Sequence, residues 1–310
     1  MKSILLILPY FGKWPIWFEA HLKSIEYNKT INWLIVTDCD IPQHYPSNIR
    51  FVATTLKELN QEVNKVMEVN VPLTPRKLCD IRPAYAEIFK EYVAGYDFWG
   101  FCDLDVIWGD IRKFMTDEML DNNDILSSRK DSISGHFNLF RNSPQINLMY
   151  KKLPNFKKML EEPKFMWIDE GRLTDYIKST FKEIQPEYRV YWKSILLNQE
   201  RGFDSRQEYH LDRWLWKEGK ILDMKKNQEV MYLHFINWKR FMKRNEVLAD
   251  SVSSKFYISY TGIHYAKHTS LQILINHFTN LFDGYYVRLK KKKFLKKALK
   301  IKKNLKNKTT

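Results

Sequence analysis

In the first hundred residues, short apolar runs alternate with helix-length stretches, and this alternation limits the fold more than any other feature of the chain. Ser3 to Leu8 (SILLIL), Trp33 to Thr37 (WLIVT), Ile49 to Ala53 and Phe98 to Cys102 (FWGFC) have the length and content of buried strands. Pro15 to Ile25, Leu56 to Val69 and Pro83 to Val93 lie between them and read as helices. Pro15 falls near a helix start, where a missing N–H costs little. Strands that are apolar throughout and separated by helices predict an α/β fold, with a mostly parallel sheet and helices on both faces. Ligands of such sheets sit beyond the carboxyl ends of the strands. Asp38, Asp103 and Asp105 all fall at such ends.

The second half is less regular. Asp124 to Ser128 and His136 to Phe140 read as strands around a Ser134-Gly135 turn, and Asp169 to Thr180 as a helix. Tyr209 to Trp216 and Lys220 to Met224 predict a hairpin around Glu218-Gly219. Val230 to Phe235 reads as one strand and Ser270 to Phe282 as a helix with an apolar face. The chain has 310 residues, 44% of them apolar, enough for a sizeable core. The expected organisation is one domain over residues 1–284 with an elaborated C-terminal half, followed by a basic helical tail over 285–310.

Charge is concentrated in that tail. Residues 285–308 carry twelve Lys or Arg and no acid, and removing those twelve from the net charge of +15 leaves +3. A nearly balanced body argues against nucleic acid as a partner of the whole molecule. Leu295, Ala298 and Leu299 share a helix face ringed by Lys. Residues 288–306 therefore suit an interfacial helix on an anionic membrane surface; a solvated tail is the alternative. The three cysteines, Cys39, Cys79 and Cys102, are odd in number and widely spaced, which points to a reducing cytoplasm. Ile4 to Leu8 is too short for the apolar core of a signal peptide. With the tail, this places the protein at the inner face of the plasma membrane.

The strongest local signal is Asp103-Leu104-Asp105 after the apolar run FWGFC. Carboxylates two residues apart on an extended segment point the same way and repel each other. A divalent cation relieves that repulsion and can bridge to a diphosphate. A solvated acidic loop is the bland alternative.

Together with ILPYFGKWP, VTDCD, LTPRKLCDIRPAYAEIF, GYDFWGFCDLDVIWGDI, SGHFNLFRN and LHFINWK, this pair resembles the GT-A class of nucleotide-sugar glycosyltransferases. The likeness is greatest to a bacterial family found with capsule and lipopolysaccharide genes, and it covers residues 3–245. It implies a Rossmann-like fold and transfer of a sugar from a nucleotide-sugar donor, a UDP-sugar, to a glycan or lipid-linked glycan acceptor. Pro9, Tyr10 and Phe11 would line the nucleoside pocket, and Asp38 would bond base or ribose, a turn cap being its alternative. Lys77, Asp80, Arg82 and Leu104 would contact the donor, and Gly135, His136 and Asn138 would face its sugar. Asp169 and Glu170 would act on the acceptor as base or anchor; the alternative is a helix start with Asp169 as N-cap. By similarity to glycogenin-like enzymes, His234 would complete the metal shell and Lys239 would bind diphosphate, implying a retaining reaction. An imidazole ligand favours Mn²⁺ over Mg²⁺. The family run His-x-x-Gly-x-x-Lys-Pro-Trp is replaced here by His-Phe-Ile-Asn-Trp-Lys, without the Gly or the Pro. A satisfied strand histidine is the alternative for His234.

Two other functions fit parts of the sequence. A non-catalytic membrane or nucleic-acid binder would act through the tail alone. A metal-dependent phosphoesterase would use Asp103 and Asp105, although two-metal sites usually gather more ligands.

Overall fold

The computed structural model describes residues 1–181, 187–193, 209–236 and 238–283, and residues 287, 290, 291, 294, 295, 297 and 298 of the C-terminal segment. The basic tail expected over 285–310 lies largely outside the described residues.

Four apolar runs of the N-terminal half form the strands expected of them: β1 (Ile4–Tyr10), β2 (Ile31–Thr37), β3 (Ile49–Ala53) and β4 (Phe98–Cys102). β5 (Val106–Trp108) follows at once, then β6 (Ile125–Ser127), β7 (Phe137–Arg141) and β8 (Val190–Trp192). The main sheet has the order β3-β2-β1-β4-β7-β6-β8. Its first four strands are parallel, and β7 runs antiparallel to both β4 and β6.

Alternation along the strands sends side chains into two cores. Leu5 and Ile7 pack on one face with Leu59 and Val63 of helix α2 (Leu56–Met67). Ile4, Leu6 and Leu8 pack on the other with Phe18 and Leu22 of α1 (Phe18–Glu26). Helices thus cover both faces, which is why these strands read as continuous apolar runs. α2 starts at a capping box: Glu58 N–H donates to Thr55 Oγ1 at 3.1 Å, and Thr55 N–H donates to Glu58 Oε2 at 2.8 Å.

The C-terminal half builds a second sheet around the hairpin expected at Glu218-Gly219, with four further strands. β9 (Trp214–Lys217), β10 (Lys220–Asp223), β11 (Gln228–Val230), β13 (Arg244–Asn245), β14 (Lys255–Ser259) and β15 (Gly262–His264) lie in the order β11-β10-β9-β14-β15-β13. The β9–β10 hairpin turns at Glu218 and Gly219, both at positive φ (48° and 78°), as a type I′ loop requires. Val230 to Phe235 is not one strand. Gln228–Val230 joins the second sheet, while β12 (Tyr232–His234) turns back to pair with β5.

Two helix expectations also change. Pro83 to Val93 is a 3₁₀ turn at Arg82–Ala84 followed by two helical turns, Tyr85–Ile88 and Lys90–Val93, broken at Phe89. Asp169 is not an N-cap. It lies within the π-turn Ile168–Arg172, which leads into α3 (Leu173–Thr180). Helix α4 (Ser270–Asp283) follows the second sheet, and the described residues of the tail are helical too.

Candidate active site

The sheet order reverses between β1 and β4: β1 continues outward to β2 and β3, β4 to β7. At such a switch point the connections leave in opposite directions, and a crevice opens beyond the strand ends. A cleft of about 840 Å³ lies there, with Pro9 and Tyr10 from the end of β1 and Asp103, Leu104 and Asp105 from the segment after β4.

The pairing of β5 with β12 assembles the centre. The register sets His234 opposite Val106, and Phe235 N–H donates to the Asp105 carbonyl at 2.9 Å. His234 Nε2 then lies 3.3 Å from Asp105 Oδ1 and 3.7 Å from Asp103 Oδ2. One ligand atom from each of the three residues falls within 4.8 Å of the others, so the group could hold a metal ion. The donor set, two carboxylates and an imidazole, is one that a divalent cation can take.

Fixed cations flank the acids. Lys239 Nζ is 2.7 Å from Asp105 Oδ2. Arg82 joins three parts of the cleft: its guanidinium pairs with Asp103, with Asp169 Oδ2 at 2.9 Å, and with the Gly135 carbonyl at 2.6 Å. Burial opposes the charge of Asp105, yet His234 and Lys239 hold its carboxyl far below the usual range. Burial likewise works against the Arg82 charge, but Asp103 and its other neighbours raise its pKa well above normal. For Asp169 burial wins over the pull of Arg82, and its carboxyl is pushed up to about 6. Among the described residues, Asp169 Oδ1 has no hydrogen-bond partner.

His136 stacks on His234, ring centroids 4.1 Å apart. Its ring nitrogens bond the hydroxyls of Ser134 (2.9 Å) and Tyr232 (2.7 Å). Burial and the charges of His234 and Arg129 lower its pKa well below the ordinary value. Gly135 is where backbone, Glu170 and Arg82 crowd together: a Cβ there would come within 2.7 Å of Glu170 Oε1. Gly135 N–H donates to that same carboxylate at 2.8 Å, and Arg129 pairs with it at 3.2 Å.

Five expected site residues do not line the cleft. Phe11 packs against the core. Asp38 accepts from Gly12 N–H at 2.7 Å and ties two strand-end loops together. Asn138 is buried and bonds both polar backbone groups of Ser134, shaping the turn before β7. Lys77 and Asp80 are both 0% exposed. They bond each other and the backbone of residues 159–168, so they are interior structural groups and not donor contacts. His136 does line the cleft, but its ring is committed to buried hydroxyls instead of a sugar. The sequence reading also passed over Arg76, Arg129 and Trp17, which line the cleft. Arg76 adjoins Lys77 within LTPRKLCDIRP, whereas nothing local marks Arg129 or Trp17.

The profile of DUF6625, a family of unknown function, matches residues 6–267. No curated protein matches. Among solved structures, the glycosyltransferase GlyE of Streptococcus pneumoniae TIGR4 aligns at 12% identity and TM-score 0.36, over 64% of this chain and 46% of GlyE. The chain thus spans under half of GlyE's length. The galactosyltransferase LgtC, in complex with donor and acceptor sugar analogs, aligns at 9% identity and TM-score 0.33, over 56% of this chain and 69% of LgtC.

Proposed function

This chain belongs to DUF6625, a family of unknown function, and we propose that it is a metal-dependent glycosyltransferase acting on a nucleotide diphosphate sugar. One juxtaposition carries the proposal. Asp103, Asp105 and His234 converge beyond β4, on a cleft whose walls also bear Arg76, Arg129, Lys239 and Arg240. An acidic metal site inside a cationic rim fits a ligand with its own concentrated negative charge, such as a diphosphate. A cleft of about 840 Å³ matches the size of small-molecule sites.

A divalent ion held by the three residues would neutralise charge on the leaving diphosphate. The other roles belong to the chain itself. Lys239 and Arg240 add positive charge on the same wall. Pro9 and Tyr10 offer an apolar surface at the end of β1 to a nucleoside. Asp169, with a carboxyl near neutrality, can hold or accept the proton of an acceptor hydroxyl. The donor we favour is a UDP-sugar and the acceptor a bacterial surface-glycan precursor, with retention of configuration. These finer points rest on the resemblance of the ordered segments and the late His234 and Lys239.

A thermal-shift series with UDP, GDP, CMP and dTDP, each with and without Mn²⁺, tests the proposal. UDP with Mn²⁺ is expected to stabilise by about 2.7 kcal/mol at a hundredfold excess over Kd, and UDP alone by much less. Absence of a metal-dependent response to any of the four nucleotides would sink it.

The same reading includes attachment to a membrane. α4 leaves Leu271, Leu274, Ile275, Phe278, Leu281 and Phe282 exposed, spaced three or four residues apart along much of one face. The twelve basic residues of 285–308 follow directly. Exposed apolar side chains beside concentrated positive charge fit an anionic lipid surface. Among the described residues no helix is long and apolar enough to cross a membrane. The protein should co-sediment with phosphatidylglycerol-containing vesicles, less so in high salt, and not with phosphatidylcholine alone. Leu274→Asp with Phe278→Asp should weaken that binding about tenfold or more. Equal binding to both vesicle types would refute the attachment.

A further inference from the structure

We propose that Trp167 is the platform for the acceptor sugar, its indole stacking on the C–H face of a pyranose at the Asp169–Glu170 side of the cleft. The assignment rests on the transferase reading above and deepens it. Trp167 is 60% exposed, an apolar ring left in water just outside the lining of the cleft and bonded to Glu170 on its wall. Its backbone is left-handed, at φ 64° and ψ 37°, a region that a bulky residue enters rarely. Both features are unfavourable for the isolated protein. Such conformations persist where surrounding structure imposes them, and they cluster at ligand sites.

The imposing structure is the buried pair Lys77 and Asp80. The Asp80 carboxylate accepts from the amides on either side of the tryptophan, Met166 N–H at 2.9 Å and Ile168 N–H at 3.1 Å. Lys77 holds Asp80 at 3.2 Å and reaches the carbonyls of Met159 (3.2 Å) and Lys164 (3.3 Å). On the outgoing side, the Trp167 carbonyl accepts from Gly171 and Arg172 N–H at 3.0 and 3.1 Å. The chain is therefore pinned at both flanks, and residue 167 arches outward.

The ring itself is aimed. Its indole N–H donates to Glu170 Oε2 at 3.2 Å, and Glu170 lines the cleft. Phe165, also on the cleft wall, lies 6.3 Å from the indole, with the Arg76 guanidinium 4.2 Å over its own ring. An oriented aromatic face next to two carboxylates is complementary to a pyranose, which offers C–H groups on a face and hydroxyls around the rim.

Saturation-transfer NMR with a panel of methyl pyranosides, in the presence of UDP and Mn²⁺, tests this on the full chain. Ring protons of one pyranoside face should receive saturation from the wild-type protein. Trp167→Ala should weaken that binding about tenfold and Trp167→Phe much less. The UDP and Mn²⁺ thermal response should be the same in all three proteins. Trp167→Gly, which suits a left-handed backbone, should lose the pyranoside while melting no lower than wild type. Pyranoside binding indifferent to Trp167→Ala, or none at all despite an intact nucleotide response, overturns the platform alone. A wild-type protein blind to every nucleotide overturns the transferase reading and the platform with it.

Discussion

Asp105→Asn is expected to abolish manganese-dependent stabilisation by UDP and to slow sugar transfer by about 10³-fold or more. Metal stabilisation of a leaving diphosphate is worth several kcal/mol, and each 1.36 kcal/mol is about tenfold in rate. Asp105 should be the more sensitive of the pair. Its side chain is 8% exposed and contacts both His234 and Lys239, whereas that of Asp103 is 29% exposed. The Asn variant keeps the volume but removes the charge that faces His234 and Lys239. A second readout follows in the metal-free protein. The Asp105 carboxyl is held below its ordinary range, so it stabilises the fold above that range and the benefit is lost as pH falls through the folded pKa. Wild type and Asp105→Asn should therefore differ in urea midpoint at pH 7 and converge on acidification. UDP release from a UDP-sugar, followed with acceptor present, measures the rate effect. Undiminished turnover in Asp105→Asn would remove the metal from the mechanism. Release of free phosphate from a nucleotide or phosphodiester without an acceptor sugar would favour a phosphoesterase instead.

The second large effect is on stability. Lys77→Met should cost about 3–5 kcal/mol, because it strands the Asp80 carboxylate in the interior. Both side chains are essentially inaccessible, at 1% and 0%. Asp80→Asn should also destabilise, since it strands the Lys77 ammonium and weakens the bonds to Met166 and Ile168. Residues that share one network are not additive. The double variant should therefore fall short of the sum of the two single losses. Urea denaturation at unchanged m-value measures all three. A loss under about 1 kcal/mol in Lys77→Met would mean that the pair is not buried as described.

Lys77 and Asp80 also show what a sequence leaves undecided. Charged residues in LTPRKLCDIRP read naturally as ligand contacts, and charge type alone does not separate a cleft-facing group from one paired in the core. The distinction depends on partners far along the chain. Asp80 meets Met166 across 86 positions, Arg82 meets Asp169 across 87, and Lys239 meets Asp105 across 134. Arg82 illustrates the same point from the opposite side. It was expected to touch the donor, yet its main structural role is to join Asp103, Gly135 and Asp169. The strain at Trp167 has no local signature either, since an apolar run such as FMWI looks the same whether the tryptophan points inward or outward.

What the sequence determined by itself was the parallel half of the main sheet and the place of the acid pair at the carboxyl end of its strands. Strand and helix periods are local, and they record which faces of each element must leave water, so β1, β2, β3 and β4 could be read directly. Only the tertiary structure decided that β12 pairs with β5 and brings His234 to Asp105, and that a buried ion pair arches Trp167 into solvent. These outcomes depend on strand pairing and charge burial between segments distant in sequence, and hydrophobic periodicity within a segment carries no record of either.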